Sequence, residues 1–162
     1  MSHSDLTNNI GIQQTLDPDA YDVSADVACT GVDGKNCESV LHIVAVGDTA
    51  EHSTSHHTRL VIQESAVLGS AYTDVIIAAM VEFTIDGVVT AMEDITTGLL
   101  KALDAAGDDN HVYAAEYKGQ SQYSRILLEV TGTRTVGDIG AEAIKWARSR
   151  NAAAGVLGVN QP

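Results

Sequence analysis

Large apolar anchors are scarce in this chain. It has one Trp, one Phe and five Tyr among 162 residues, and only two Pro. With aromatics at 4% and apolar residues at 44%, the interior has to be built from Ala, Val, Ile and Leu through many small contacts. Positive charge is scarce as well. Nine Lys and Arg stand against 22 Asp and Glu, a formal net charge of −13. Such a surface repels phosphate, so neither nucleic acid nor an anionic membrane is an expected partner. Two cysteines, Cys29 and Cys37, cannot make a disulfide framework, and their spacing is too wide for a zinc knuckle. They read as small residues in or beside strands, or as one local disulfide. There is no apolar run of about 18 residues, the length that would span a bilayer. "MSHSDLTNNI" has neither a basic n-region nor an apolar h-region, so a soluble protein without a signal peptide is the expectation.

Catalytic signatures are missing too. The chain holds no G-x-S-x-G elbow, no Walker A motif and no G-x-G-x-x-G loop. The acidic "DAAGDDN" at 104–110 fails as an EF-hand loop. Counted from Asp104 the third position is Ala106, and counted from Asp108 the twelfth is Gly119. It reads as an acidic turn. Carboxylates are abundant, but nothing singles out one pair as acid and base. No catalytic residue, no enzyme activity and no cofactor is expected.

Histidine is the residue that does cluster. "EHSTSHHTR" at 51–59 carries His52, His56 and His57, three of the chain's six. On a helix His52 and His56 would share a face, but Ser53, Thr54 and Ser55 between them disfavour one. No H-E-x-x-H and no fourth ligand in register accompany them. They are the metal-ligand candidates, set against a solvated hairpin tip whose three histidines could be replaced by Ala with folding intact. His3, His42 and His111 stand alone, and His42, inside an apolar strand, is expected to be a satisfied core histidine. Tyr113, Tyr117 and Tyr123 flank what reads as one hairpin. They are either a stacking platform for sugars or packing at a sheet edge.

The chain alternates like a β protein. In "ESVLHIVAVG" (38–47) Val40, His42, Val44 and Val46 point one way, while Leu41, Ile43 and Ala45 point the other. Both faces are mostly apolar, so a strand buried on two sides is predicted. "RLVIQES" (59–65) alternates again, which makes 38–65 a hairpin with the histidines at its tip. Asp86-Gly87 between β-formers is a two-residue turn signal. A short helix or turn near 91–96 and a strand at 98–104 follow. "HVYAAEYKGQSQYSRILLEVTG" (111–132) reads as two strands around a glycine turn, and 141–150 as a last strand or short helix. Six to eight short strands predict an all-β fold, an antiparallel β-sandwich (jelly-roll-like) or barrel. An N-terminal arm at 1–20 and a C-terminal arm at 151–162 flank a body at 21–150.

The order of certain phrases resembles the small virion structural proteins of tailed bacteriophages. "LDPDAYDVSADVACTGVDGKNCESVLHIVAVGD" is similar to their opening, "QES" followed by "SAYTDV" to their next landmark, and "VYAAEYKGQSQYSRILLEVTGT" to their Tyr-x-Gly turn and closing "T-G-T". The resemblance covers roughly 16–135, with a gap across 76–97. "KGQSQYSR" departs from it by lacking a basic residue before Tyr123, "KNCES" by its cysteine. What the resemblance implies is a capsid decoration (cement) protein on the outside of the major capsid shell, stabilising capsomer junctions by multivalent contacts. Its implied partners are the major capsid protein and itself, as a homo-oligomer such as a trimer. Its place would be the virion, assembled in the host cytoplasm. A head–tail connector, neck or tail component is the alternative within the same family. A carbohydrate- or metal-binding module is the alternative outside it.

Overall fold

A computed structural model describes residues 10–20, 25–48, 52–76, 81–132 and 138–146. Among them twelve strands follow one another: β1 (Ile10–Ala20), β2 (Val27–Ala28), β3 (Val32–Asp33), β4 (Ser39–Val46), β5 (His57–Ser65), β6 (Thr73–Asp74), β7 (Val81–Ile85), β8 (Val88–Thr90), β9 (Leu99–Leu103), β10 (Val112–Tyr117), β11 (Tyr123–Thr131) and β12 (Asp138–Trp146). They form two antiparallel sheets. One runs β1-β12-β4-β10-β7-β8; the other runs β2-β11-β5-β6, with β3 also on β11 and β9 also on β5. Two separate sheets facing each other make a sandwich rather than a closed barrel. The only helical piece among the described residues is a single 3-10 turn at Ala106–Asp108. No helix there is long and apolar enough to cross a membrane.

The core is what the composition requires. Val44, Leu60, Ile62, Leu100, Leu103, Ile126, Leu128 and Ile139 fill the space between the sheets. The few aromatics sit among them: Phe83 lies parallel to the Tyr113 ring, with centroids 6.2 Å apart. His42 is enclosed as expected, and its Nε2 shares a hydrogen bond of 2.8 Å with Ser124 Oγ on the facing sheet.

Asp86 and Gly87 both take positive φ, 49° and 79°, as the two-residue turn between β7 and β8 requires. The expected strand at 98–104 is β9, and 91–96 is turn rather than helix. Of the region 141–150, the part up to Trp146 is strand. At Gly119 the Tyr117 ring occupies the space a Cβ would need. That closes the "YKG" turn with Ser121 N–H donating to Tyr117 Oη at 3.2 Å.

Three expectations are corrected. Residues 10–20 are not an arm: β1 pairs with β12 along its whole length and forms one edge of the six-stranded sheet. That edge is interrupted by two register shifts, one on each side of Leu16, and Pro18 falls within it. Both features discourage a further strand from adding there. Residues 1–9 and the arm expected at 151–162 lie outside the described residues. Second, β4 and β5 are not a hairpin, because they belong to different sheets. β4 takes its hydrogen bonds from β10 and β12. Both of its edges are thus filled by strands far along the chain, and the histidine loop is a crossover between sheets. Third, β10 and β11 are split between the sheets in the same way.

Candidate functional site

The histidine loop does not bring its three rings together. His52 is buried, and its Nδ1 meets Asp109 Oδ1 at 2.8 Å. His56 is exposed and closes a tight turn in which Ser53 and His56 exchange backbone hydrogen bonds. His57 opens β5, and its Nδ1 is enclosed without a hydrogen-bond partner. No group of three His, Cys, Asp or Glu among the described residues is placed to hold a metal. The picture of a wholly solvated tip therefore fails at His52. Replacing His52 with Ala is expected to cost about 2 kcal/mol, the scale of a hydrogen bond to a charged group. His56→Ala should fall within about 0.5 kcal/mol of the parent, as exposed substitutions do. Urea midpoints of the two variants check this; equal midpoints would mean that the Asp109 contact is not formed in solution.

The acidic turn at 104–110 is the hub of that end of the sandwich. The Asp108 carboxylate accepts from the N–H groups of Asp104 and Ala105, each at 3.1 Å. Lys101 Nζ bridges Glu93 at 2.7 Å and Asp108 at 3.2 Å. The Tyr113 hydroxyl donates to Asp108 O at 2.7 Å. His111 donates from both ring nitrogens, Nδ1 to Asp86 at 2.5 Å and Nε2 to Gly107 O at 3.0 Å. Two acceptors facing one imidazole favour its charged form, and the Asp86 carboxylate holds the His111 pKa above its ordinary value. The Asp86 pKa is held down, first by the Val112 N–H and then by His111. A raised histidine adds stability that is complete below its unfolded pKa and is lost as pH rises through the folded one. The depressed Asp86 works oppositely, adding stability that is lost as pH falls through its folded value. In an NMR titration His111 should therefore titrate above the ordinary histidine value, and Asp86→Asn should return it toward that value. An unmoved His111 in the variant would rule the pair out.

Cys29 and Cys37 are both free. Burial lifts the Cys29 thiol to about 12, so it is inert at neutral pH. Tyr113 and Tyr117 are interior, 1% and 3% exposed, so their rings are not available to stack on a sugar. The Tyr117 hydroxyl donates instead to Glu64 on the opposite sheet.

The outer face of the six-stranded sheet is different in kind. Register places Ile12, Ile144 and Leu41 side by side across β1, β12 and β4, and Ile43 beside Ala114 across β4 and β10. Two shallow grooves run over this face. One, of about 790 Å³, is lined by Ile43, Ala45, Val112 and Gly140 among others. The second, of about 570 Å³, is lined by Ile10, Leu41, Ile144 and Trp146. Ile12 is 68% exposed, and Val112 and Trp146 are each 45% exposed. The second apolar side of β4, expected to be buried, is this half-covered surface: Val40, His42, Val44 and Val46 face the core, while Leu41, Ile43 and Ala45 line the grooves. Four strands about 4.8 Å apart and some eight residues long span on the order of 500 Å². Apolar side chains from all four strands share that face with Gln14, Glu142 and Glu116, and adjoining exposed apolar side chains are a mark of contact surfaces. No protein-family model matches the chain, and no curated protein matches it.

Proposed function

We propose that this chain is a virion structural protein of a tailed bacteriophage, a decoration (cement) protein that binds the outside of the major capsid shell. The observation that carries the reading is the half-covered apolar face of the six-stranded sheet, on a sandwich whose interior is filled by its own side chains. Such a body works by covering surface. The sequence resemblance over residues 16–135 supplies the kind of surface to cover. Each copy would add modest free energy at a capsomer junction, and repetition over the lattice would resist internal pressure. The acidic, phosphate-repelling composition suits a protein on the outside of a shell rather than one touching packaged genome.

Quantitative mass spectrometry of purified particles tests the proposal. The chain should be present at a stoichiometry matching the capsomer lattice, and mild denaturant should release it while the shell stays closed. A copy number matching a single ring would move it to the head–tail connector, and absence from particles would end the virion reading.

A further inference from the structure

We infer that the outer face of the six-stranded sheet docks on a different protein, one with an apolar contact flanked by lysine or arginine. For the identity of that partner as the capsid shell, the inference rests on the reading above. Its other parts rest on the face alone. Four acids line the two grooves, Glu38 and Glu116 in one and Asp138 and Glu142 in the other. Lys118 is the only cation among their described lining residues. Its ammonium is already engaged, 2.7 Å from Glu116 and 3.8 Å from Glu82. Acids and apolar side chains are interleaved on this face: Glu142 lies beside Ile43 and Glu116 beside Leu41.

That combination selects the occupant. A second copy would present the same face in a two-fold contact, since such interfaces pair identical patches. Acids would then oppose acids, on bodies that each carry −13. Anionic lipid and nucleic acid are repelled by the same acids. An apolar protein surface with lysine or arginine set beside its apolar groups satisfies both parts of the face, and its attachment would be steered by charge and weakened by salt.

The chain carries its own reporter. Trp146 is its only tryptophan and lies in the second groove, opposite Ile10 on β1. The emission of the full chain would be followed during titration with a peptide of alternating Leu and Lys, and with a Leu-Glu peptide as control. The expected result is a blue shift with the basic peptide only. In Ile12→Glu the affinity should fall about tenfold or more, the equivalent of losing one buried isoleucine. The sign is diagnostic, because the added carboxylate would strengthen a purely electrostatic contact. Affinity unchanged or raised in Ile12→Glu overturns the inference. So does emission that shifts with the concentration of the free chain, which would make the occupant a second copy. Emission already blue and protected from acrylamide in dilute free chain overturns it too, because the chain would then cover its own face.

A parallel arm uses shells purified without the chain. Attachment of the parent and loss in Ile12→Glu, with Val67→Glu attaching normally, supports both the face and its partner. Val67 is a control because it is 57% exposed in the loop after β5. Equal attachment of parent and Ile12→Glu removes the face and leaves the virion reading standing. Failure of the parent to attach, with the peptide arm as expected, removes the virion reading and leaves the face.

Discussion

Phe83→Ala should destabilise the protein by about 3–5 kcal/mol, more than any other single truncation described above. Phe83 is the chain's only phenylalanine and is 2% exposed. It sits on β7, and its ring lies parallel to Tyr113 of the adjacent β10. Around it stand Val44, Leu60, Leu100, Tyr113 and Ile126, each held by its own strand, so they collapse only partly into the space a phenyl ring leaves. Truncation therefore loses the transfer free energy of the ring and leaves a cavity as well. Against a usual domain stability of about 5–15 kcal/mol, that is a large share. Phe83→Leu refills much of the volume and should cost well under half as much. Urea unfolding at fixed pH reads both. A loss below about 1 kcal/mol for Phe83→Ala would show that β7 is not docked on the core in solution.

The second large effect is a loss of stability in acid that traces to His42. Burial lowers its pKa from 6.5 to about 4. The unfolded chain therefore takes up a proton that the folded chain refuses. Stability from this residue is intact above pH 6.5, falls as pH drops through the interval, and is about 3 kcal/mol lower below pH 4. Other carboxylates also respond to acid, so the measurement is a difference. The double variant His42→Leu with Ser124→Ala removes the imidazole together with the hydroxyl it bonds across the sheets. The gap between parent and variant should widen in the variant's favour between pH 6.5 and 4. A gap that stays constant across that range would mean that His42 is protonated in the fold or reached by water.

Much of the fold is legible in the chain itself. Apolar, β-branched runs at Val40–Val46 and Ile126–Val130, bounded by turn residues, mark strands, and their successive side chains leave opposite sides of a pleated backbone. Asp86-Gly87 marks its turn because both positions need positive φ. The site is not legible in the same way. The histidines at 52, 56 and 57 suggest a cluster because they are close in sequence. The fold separates them into a buried contact, an exposed turn and a strand end. The face that carries the proposal is visible in the sequence only as a strand with two apolar sides. Leu41 and Ile43 look the same there whether a second layer covers them or water does.

Residue chemistry alone thus determined the class of the protein: β-rich, acidic, with a core of small aliphatic side chains and no catalytic signature in its motifs. It also determined where most strands run, because propensity, alternation and turn chemistry are local. Tertiary structure decided which strands are neighbours, turning two apparent hairpins into crossovers and an apparent arm into an edge strand. Alternation says nothing about which strand supplies the hydrogen bonds, and here β4 takes them from β10 and β12. It decided as well which of two apolar faces meets the core and which is left for a partner. That choice depends on how the two sheets stack, and no window of the chain contains it.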